Sequence, residues 1–355
     1  MRIKSLIFLL TKKYFKKTRP FCYDHELMKK RTLLLTVLTS VLLQAEEDDW
    51  SLNNSFTVWS DAAYYRRAQS HKHRLIIDES RGEKDSCGVC HFDACDAKHL
   101  AKKFKYEPGF RFGFSYMSEH ALWEATYLWI RDWSDCCSNT NPGYLYFSRD
   151  DKNYFLNDFA AADSAKACYA SWFQNAEVNY TNYVTSKRGD KFGAAWLAGL
   201  RYFFLDEKLD VDFIKGLNSS TYHVHVSNHI PALQVGVTLS WNPTRSLSWD
   251  FVAKVGLGIG VDWQHTSLGD LNNTLVIRDY RKRGFETPFL ADGMLSLAYQ
   301  PISWINLHTA YQFIYLNGVA LAPDQLVKGN SSNHVLRRNG MPLIHGWTAG
   351  LSFSF

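Results

Sequence analysis

Apolar and polar residues alternate one by one along most of this chain, in short runs. The clearest run is SLSWDFVAKVGLGIGVDW, residues 246–263. One parity holds Leu247, Trp249, Phe251, Ala253, Val255, Leu257, Ile259, Val261 and Trp263; the other holds Ser248, Asp250, Val252, Lys254, Gly256, Gly258, Gly260 and Asp262. A period of two marks a β-strand with one apolar face. Nine further segments alternate, at residues 56–65, 109–117, 123–129, 172–185, 194–204, 233–241, 285–299, 305–313 and 343–355. The links between them alternate too. Short ones fall at 118–120, 186–191, 242–245 and Pro301, and long ones at 67–108, 133–171, 206–230, 265–284 and 317–342.

This layout predicts an all-β fold: a transmembrane, antiparallel, up-and-down β-barrel with short periplasmic turns and long outer loops. It has about ten strands, or twelve if residues 222–226 form a hairpin with a neighbour. Both ends lie on the short-turn side. No run reaches the roughly 18 apolar residues of a membrane-crossing helix. A strand in hydrocarbon finds no water for its backbone, so only a closed sheet can cross. The apolar parity then meets lipid, with Trp249 and Trp263 towards the two interfaces. The glycines line the inside, where they permit bending and leave room for bulkier neighbours. A soluble β-sandwich also alternates, with its apolar face inward. Against it stand the rhythm of long and short links, the aromatic strand ends and the export signal described next.

The net charge of +5 does not describe the body of the chain. The first 45 residues hold ten of the 40 Lys/Arg and two of the 35 Asp/Glu, which leaves 30 against 33, a net of −3. Nucleic acid is therefore not an expected partner. Residues 28–45 read as a signal peptide: the basic MKKR, the apolar TLLLTVLTSVLL and small Ala45 before Glu46. Residues 1–27 read as a start assigned too early or an extended leader, and residues 46–355 as the barrel.

Export places the mature chain in an oxidising space with six cysteines, Cys87, Cys90, Cys95, Cys136, Cys137 and Cys168, in outer loops 67–108 and 133–171. All six are disulfide candidates, and six cysteines allow fifteen pairings. Adjacent Cys136 and Cys137 need separate partners, one of which could be intermolecular. The run CGVCH, Cys87 to His91, matches a haem-attachment pattern, and Cys/His sets also suit zinc. No helical pattern surrounds it, so the expectation is disulfides, with no cofactor and no metal.

With a leader, a first strand VWSDAAYYRR, a central WLAGLRYFFLDEKLDV and a closing GWTAGLSFSF, the chain resembles the chlamydial and Legionella-type major outer-membrane-protein-like barrels. That resemblance implies a porin-like, pore-forming protein of the bacterial outer membrane, often disulfide-linked in the envelope. The chain is shorter than the main chlamydial porin. Trp347, Leu351, Phe353 and Phe355 read as the signal for the barrel assembly machinery. Expected partners are outer-membrane lipid, that machinery, and possible disulfide-linked envelope proteins or a homo-oligomer.

The inward parity carries Arg111, Glu124, Glu177, Arg201, Asp250, Lys254, Asp262, Asp292, His308 and Gln312. Arg111 and Glu124 fall on neighbouring strands, as do Glu177 and Arg201, and charges away from water should pair. They either line an aqueous path for small hydrophilic solutes or ions, or fill a narrow lumen. The second case describes a non-conducting structural or adhesin barrel displaying disulfide-linked loops. No catalytic residue is assigned and the chain does not read as an enzyme. It has no G-x-S-x-G motif, and the other candidates are His223, His225 and His229 with Asp206 or Asp210, and His308 with Asp292.

Overall fold

The computed structural model describes residues 55–68, 73–84, 90–118, 121–147, 159–185, 191–270, 276–326 and 336–355. The signal-peptide reading and Cys87 lie outside them. Among the described residues, ten strands close into a ring: β1 (Ser55–Ala68), β4 (Glu107–Ser118), β5 (Ala121–Phe147), β6 (Ala162–Thr185), β7 (Phe192–Lys215), β8 (Asn218–Thr244), β9 (Leu247–Gly258), β12 (Phe289–Ile302), β13 (Ile305–Asn317) and β14 (Leu343–Ser354). Each pairs antiparallel with its neighbour, and β1 closes on β14. At the seam Phe56 and Phe355 exchange backbone hydrogen bonds of 3.1 and 2.8 Å. The sheet thus leaves no edge within the membrane band.

The membrane-spanning parts coincide with the ten alternating segments, and their apolar parity points outward. Leu200, Leu233, Val255, Leu257 and Trp347 are each about half exposed or more (62, 69, 48, 60 and 55%). The opening run is broken after β9 at Ile259 and resumes as β10 (Gly260–Asp270). Its neighbour breaks at the same level, at Thr287 and Pro288, between β11 (Val276–Glu286) and β12. Gly258 is needed there, because a β-carbon would come within 2.6 Å of Ile230 Cγ2.

Three expectations about the loops are corrected. Residues 133–171 are mostly strand, since β5 runs up to Phe147 and β6 begins at Ala162. Residues 206–230 are also strand: β7 and β8 continue to a two-residue turn at Gly216 and Leu217. Gly216 takes φ +59, a left-handed conformation that glycine adopts without a steric cost. Residues 222–226 continue β8, so the twelve-strand alternative falls. Cys136 and Cys137 both find partners within the chain, in the disulfides Cys95–Cys137 and Cys136–Cys168. The intermolecular option for these two falls as well.

The upward extensions keep the alternation but reverse its sense. On β7 the outward residues change from Trp196, Ala198, Leu200, Tyr202 and Phe204 to Asp206, Lys208, Asp210 and Asp212. The inward residues change from Gly199 and Arg201 to buried Phe203, Leu205, Leu209, Val211 and Phe213. β8 mirrors this with inward Tyr222, Val224 and Val226. Below the switch the outside is greasy and the inside polar; above it the outside is wet and the inside is a packed core. β5 reaches the same result through a bulge between Ile130 and Trp133, which turns Trp133 and Cys137 inward and Cys136 outward.

The long link after β1 closes over this core. It contains β2 (Arg74–Lys84), β3 (Cys90–Asp96) and α1 (Ala97–Lys103). Asp96 caps α1 by accepting from the His99 N–H at 2.6 Å. Ala97, Leu100, Ala101 and Phe104 are buried, and Trp133 Nε1 donates to the Tyr65 carbonyl at 2.9 Å. Spin labels at Leu200 and Leu233 are expected to report lipid, and labels at Lys208 and His225, on the same outward parity, to report water. One environment at all four positions would refute the reversal.

Candidate functional site

The interior holds two side-chain layers that matter for function. The lower layer is ionic. Arg201 on β7 reaches Glu177 on β6 at 3.1 Å and Asp292 on β12 at 2.6 Å. Lys254 on β9 reaches the same two carboxylates at 2.7 and 3.4 Å. Asn175, Asn179 and Gln234 surround Glu177 with amide hydrogen bonds of 2.8 to 3.2 Å. Gln312 on β13 donates to Asp292 at 2.9 Å and accepts from the Tyr65 hydroxyl at 2.7 Å. The chain of contacts therefore runs from β1 through β13 and β12 to β6 and β7, across the lumen rather than around its wall. Glu177, Arg201, Lys254, Asp292 and Gln312 are all under 9% exposed.

A second ionic knot lies beside it. Arg111 on β4 pairs with Asp61 on β1 at 3.2 Å and touches Met294 Sδ on β12 at 3.3 Å. His308 Nε2 lies 2.6 Å from Asp61 Oδ1. Two pairings read from the sequence are corrected here. Arg111 stands level with Leu128, while Glu124 stands level with Ser115, so Asp61 rather than Glu124 supplies its ion pair. His308 likewise meets Asp61, not Asp292. Asp250 accepts from Ser240 at 2.5 Å, and Asp262 pairs with Arg338 at 2.7 Å.

The upper layer is apolar except at one point. Arg67 on β1 and Glu207 on β7 form a fully buried pair at 2.5 Å. Arg67 lies over the rings of Tyr169 and Phe104, and the Tyr169 hydroxyl donates to Glu207 at 2.8 Å. Glu207 also accepts the Ala322 N–H at 3.0 Å. That bond belongs to an inward strap, residues 319–326, every one of which is buried. Asn228 holds the strap a second time: its amide donates to the Ala320 carbonyl and accepts from the Ala320 N–H, both at 2.9 Å. His73 reaches Asp324 at 2.6 Å. The strap thus sits in the barrel mouth on side chains of β7 and β8.

Asp61, Arg67, Glu207 and Asn228 escaped the sequence reading. The first two lie on the inward parity of VWSDAAYYRR, where alternation could have found them. Glu207 and Asn228 fall in a stretch read as loop.

Of the histidines considered for catalysis, His308 faces the lumen, while His223, His225 and His229 face outward on β8. His225 lies 2.8 Å from Asp206, His229 2.7 Å from the Tyr202 hydroxyl, and His223 beside Asp210. Ser227 donates directly to Asp206 and is 3.4 Å from His225. A nucleophile would instead bond to the imidazole, with the acid behind it. Among the described residues, no three His, Cys, Asp or Glu side chains are placed to hold a metal ion. Cys90 and His91 lie on β3.

No protein-family model and no curated protein matches the chain. Similar solved folds are outer-membrane barrels. The outer membrane protease OmpT from Escherichia coli shares 10% identity, with 87% of this chain and 99% of that one covered and a TM-score of 0.43. For the translocator domain of the autotransporter NalP from Neisseria meningitidis the values are 9%, 92%, 98% and 0.36. For the outer membrane channel DcaP of Acinetobacter baumannii they are 10%, 85%, 96% and 0.21. The likeness is one of fold and carries no activity with it. The chain is a closed, ten-stranded antiparallel β-barrel with an apolar outer band.

Burial pushes the Glu207 carboxyl above its ordinary range, against the pull of Arg67 and the Ala322 N–H. The folded protein therefore holds this proton more tightly than the unfolded chain does. The contribution is complete below the unfolded value of about 4.3 and is lost as pH rises through the folded value. Glu207→Gln should flatten that part of the stability profile, measured as the urea midpoint against pH in detergent micelles. Arg67→Met, which leaves Glu207 without its cation, should cost about 3–5 kcal/mol.

Proposed function

We propose that the protein is a closed envelope barrel, non-conducting at rest, that displays a disulfide-stapled wall above the outer membrane. The observation that carries this reading is the cross-lumen network. Arg201 and Lys254 bridge Glu177 and Asp292, and Arg111 bridges Asp61 and Met294, so side chains from facing walls meet in the middle. The second occlusion, made by the strap and α1, lies above it. A ten-stranded ring is narrow enough for side chains to fill, unlike wide porins.

The display role rests on the height of the wall. β5 and β8 each have 27 residues, whereas 9–11 residues cross the hydrocarbon. Cys136–Cys168 ties β5 to β6 on the outer surface, and Cys95–Cys137 ties β3 to β5 on the inner one. Such bridges typically contribute 2–4 kcal/mol.

A second reading is the porin-like channel for small hydrophilic solutes or ions, which the charged lower lumen favours. It requires the strap and the ionic layer to move aside. Single-channel recording of the purified, bilayer-inserted protein decides between the two, with and without reductant. The closed reading expects no unitary steps in either condition. Steady ion-selective steps in the unreduced protein would replace it with the channel, and steps that appear only after reduction would make the staples part of a gate.

A further inference from the structure

The strand registers sort the outward side chains of β5 to β11 into rows that cross the wall. One row is Tyr127, Ala176, Tyr202, Pro231 and Ile259, the last joined to Pro231 by a backbone hydrogen bond. Above it come Trp129, Gln174, Phe204, His229, Val261 and Phe285, then Trp172, Asp206, Ser227, Trp263 and Arg283. The next row is Ala170, Lys208, His225, His265 and Arg281. Reading upward from the first of these rows to the fourth, the outside passes from mainly apolar to aromatic and then to cationic over about six residues per strand, roughly 20 Å.

The apolar end of this gradient is concave. An almost wholly apolar trough of ≈ 820 Å³ crosses the outer face, lined by Ala176, Leu200, Leu233, Leu257 and Ile259 together with aromatic residues such as Tyr127 and Tyr202, and reaching Glu177 and Arg201 of the ionic layer. Its volume lies in the range that holds a small-molecule ligand. Because its apolar side chains point away from the lumen, its occupant comes from the membrane.

The cationic end is built to meet an anion. The Arg283 guanidinium lies 4.8 Å from the Trp263 ring and 5.0 Å from the Phe285 ring. Stacking fixes its plane and leaves its N–H edge free. Arg281 and Lys208 are exposed in the row above. Four carboxylates on the outward faces of β7 and β11 already have partners: Asp206 is held by His225, Asp210 by His223, Asp279 by His265 and Asp212 by the Thr221 hydroxyl. No ion pair occupies Arg281, Arg283 or Lys208 among the described residues.

We infer that this face binds a phosphorylated glycolipid of the outer leaflet, with an acyl chain in the trough and a phosphate on Arg281 and Arg283. A phosphate monoester matches the forked donors of arginine, and the aromatic row between the two ends marks the interface where a headgroup meets its chains.

The test uses full-length protein in detergent micelles and native mass spectrometry. The probes are a bisphosphorylated, acylated disaccharide lipid, the same lipid without phosphates, and inorganic phosphate alone. One phosphorylated glycolipid should be retained per barrel. Arg281→Ala with Arg283→Ala should weaken retention by about tenfold or more, while the unfolding midpoint stays within a few degrees of wild type. Ala176→Phe, which fills the trough, should weaken the phosphorylated and phosphate-free lipids alike. Equal retention of both lipids by wild type would overturn the phosphate assignment. Displacement of the glycolipid by equimolar inorganic phosphate would make this a free-anion site and overturn the lipid assignment. An unchanged Arg281/Arg283 variant would overturn the proposal outright.

Discussion

Hydrocarbon offers backbone amides no partner, and every other feature of this molecule follows from that constraint. The chain satisfies it by pairing ten strands in a closed ring, with Phe56 and Phe355 joining the first to the last. Once the ring exists, side chains have only two destinations. Those pointing out must suit whatever surrounds the barrel at that height, and those pointing in must suit one another.

The inside shows what the second condition costs. Four charged groups, Arg201, Lys254, Glu177 and Asp292, share one buried space, each carboxylate touching both cations. Removing any one leaves an odd charge with no water to screen it, which destabilises far more than an exposed pair would. The arrangement acts as a unit and locks opposite walls together. Above it the problem changes, because Phe203, Leu205, Val224 and Val226 pack as in any soluble core. The Arg67–Glu207 pair tolerates that setting through Tyr169, Phe104 and the backbone of the strap.

Much of the fold was legible in the sequence. All ten membrane-crossing segments and the direction of the greasy face follow from period-two alternation, whereas the turn read at Pro301 lies at Ser303 and Trp304, because Pro301 belongs to β12. The upper wall was missed for a definite reason. Asp206, Lys208, Asp210 and Asp212 look like loop residues when an apolar outward face is assumed, although Leu205, Leu209, Val211 and Phe213 alternate with them just as regularly. Ion-pair partners were less legible. Inward-facing residues can be read from parity, but which of them meet depends on register and on contacts across the lumen. Arg111 therefore looked like a partner for Glu124 and proved to be one for Asp61. The staples Cys95–Cys137 and Cys136–Cys168 lie beyond spacing arguments, since the β5 bulge decides which of the two adjacent cysteines faces inward, and residues 133–171 read as loop.

The reversal of facing along β7 and β8 also fixes where the molecule floats. Sinking by one residue pair would bring Asp206, Ser227 and Arg283 towards acyl chains, at up to a few kcal/mol for a basic side chain carried to mid-bilayer and less near the surface. Rising by the same amount would lift Phe204 and Val261 into water. The two penalties oppose each other, so the barrel carries its own waterline and needs no separate anchor to keep it.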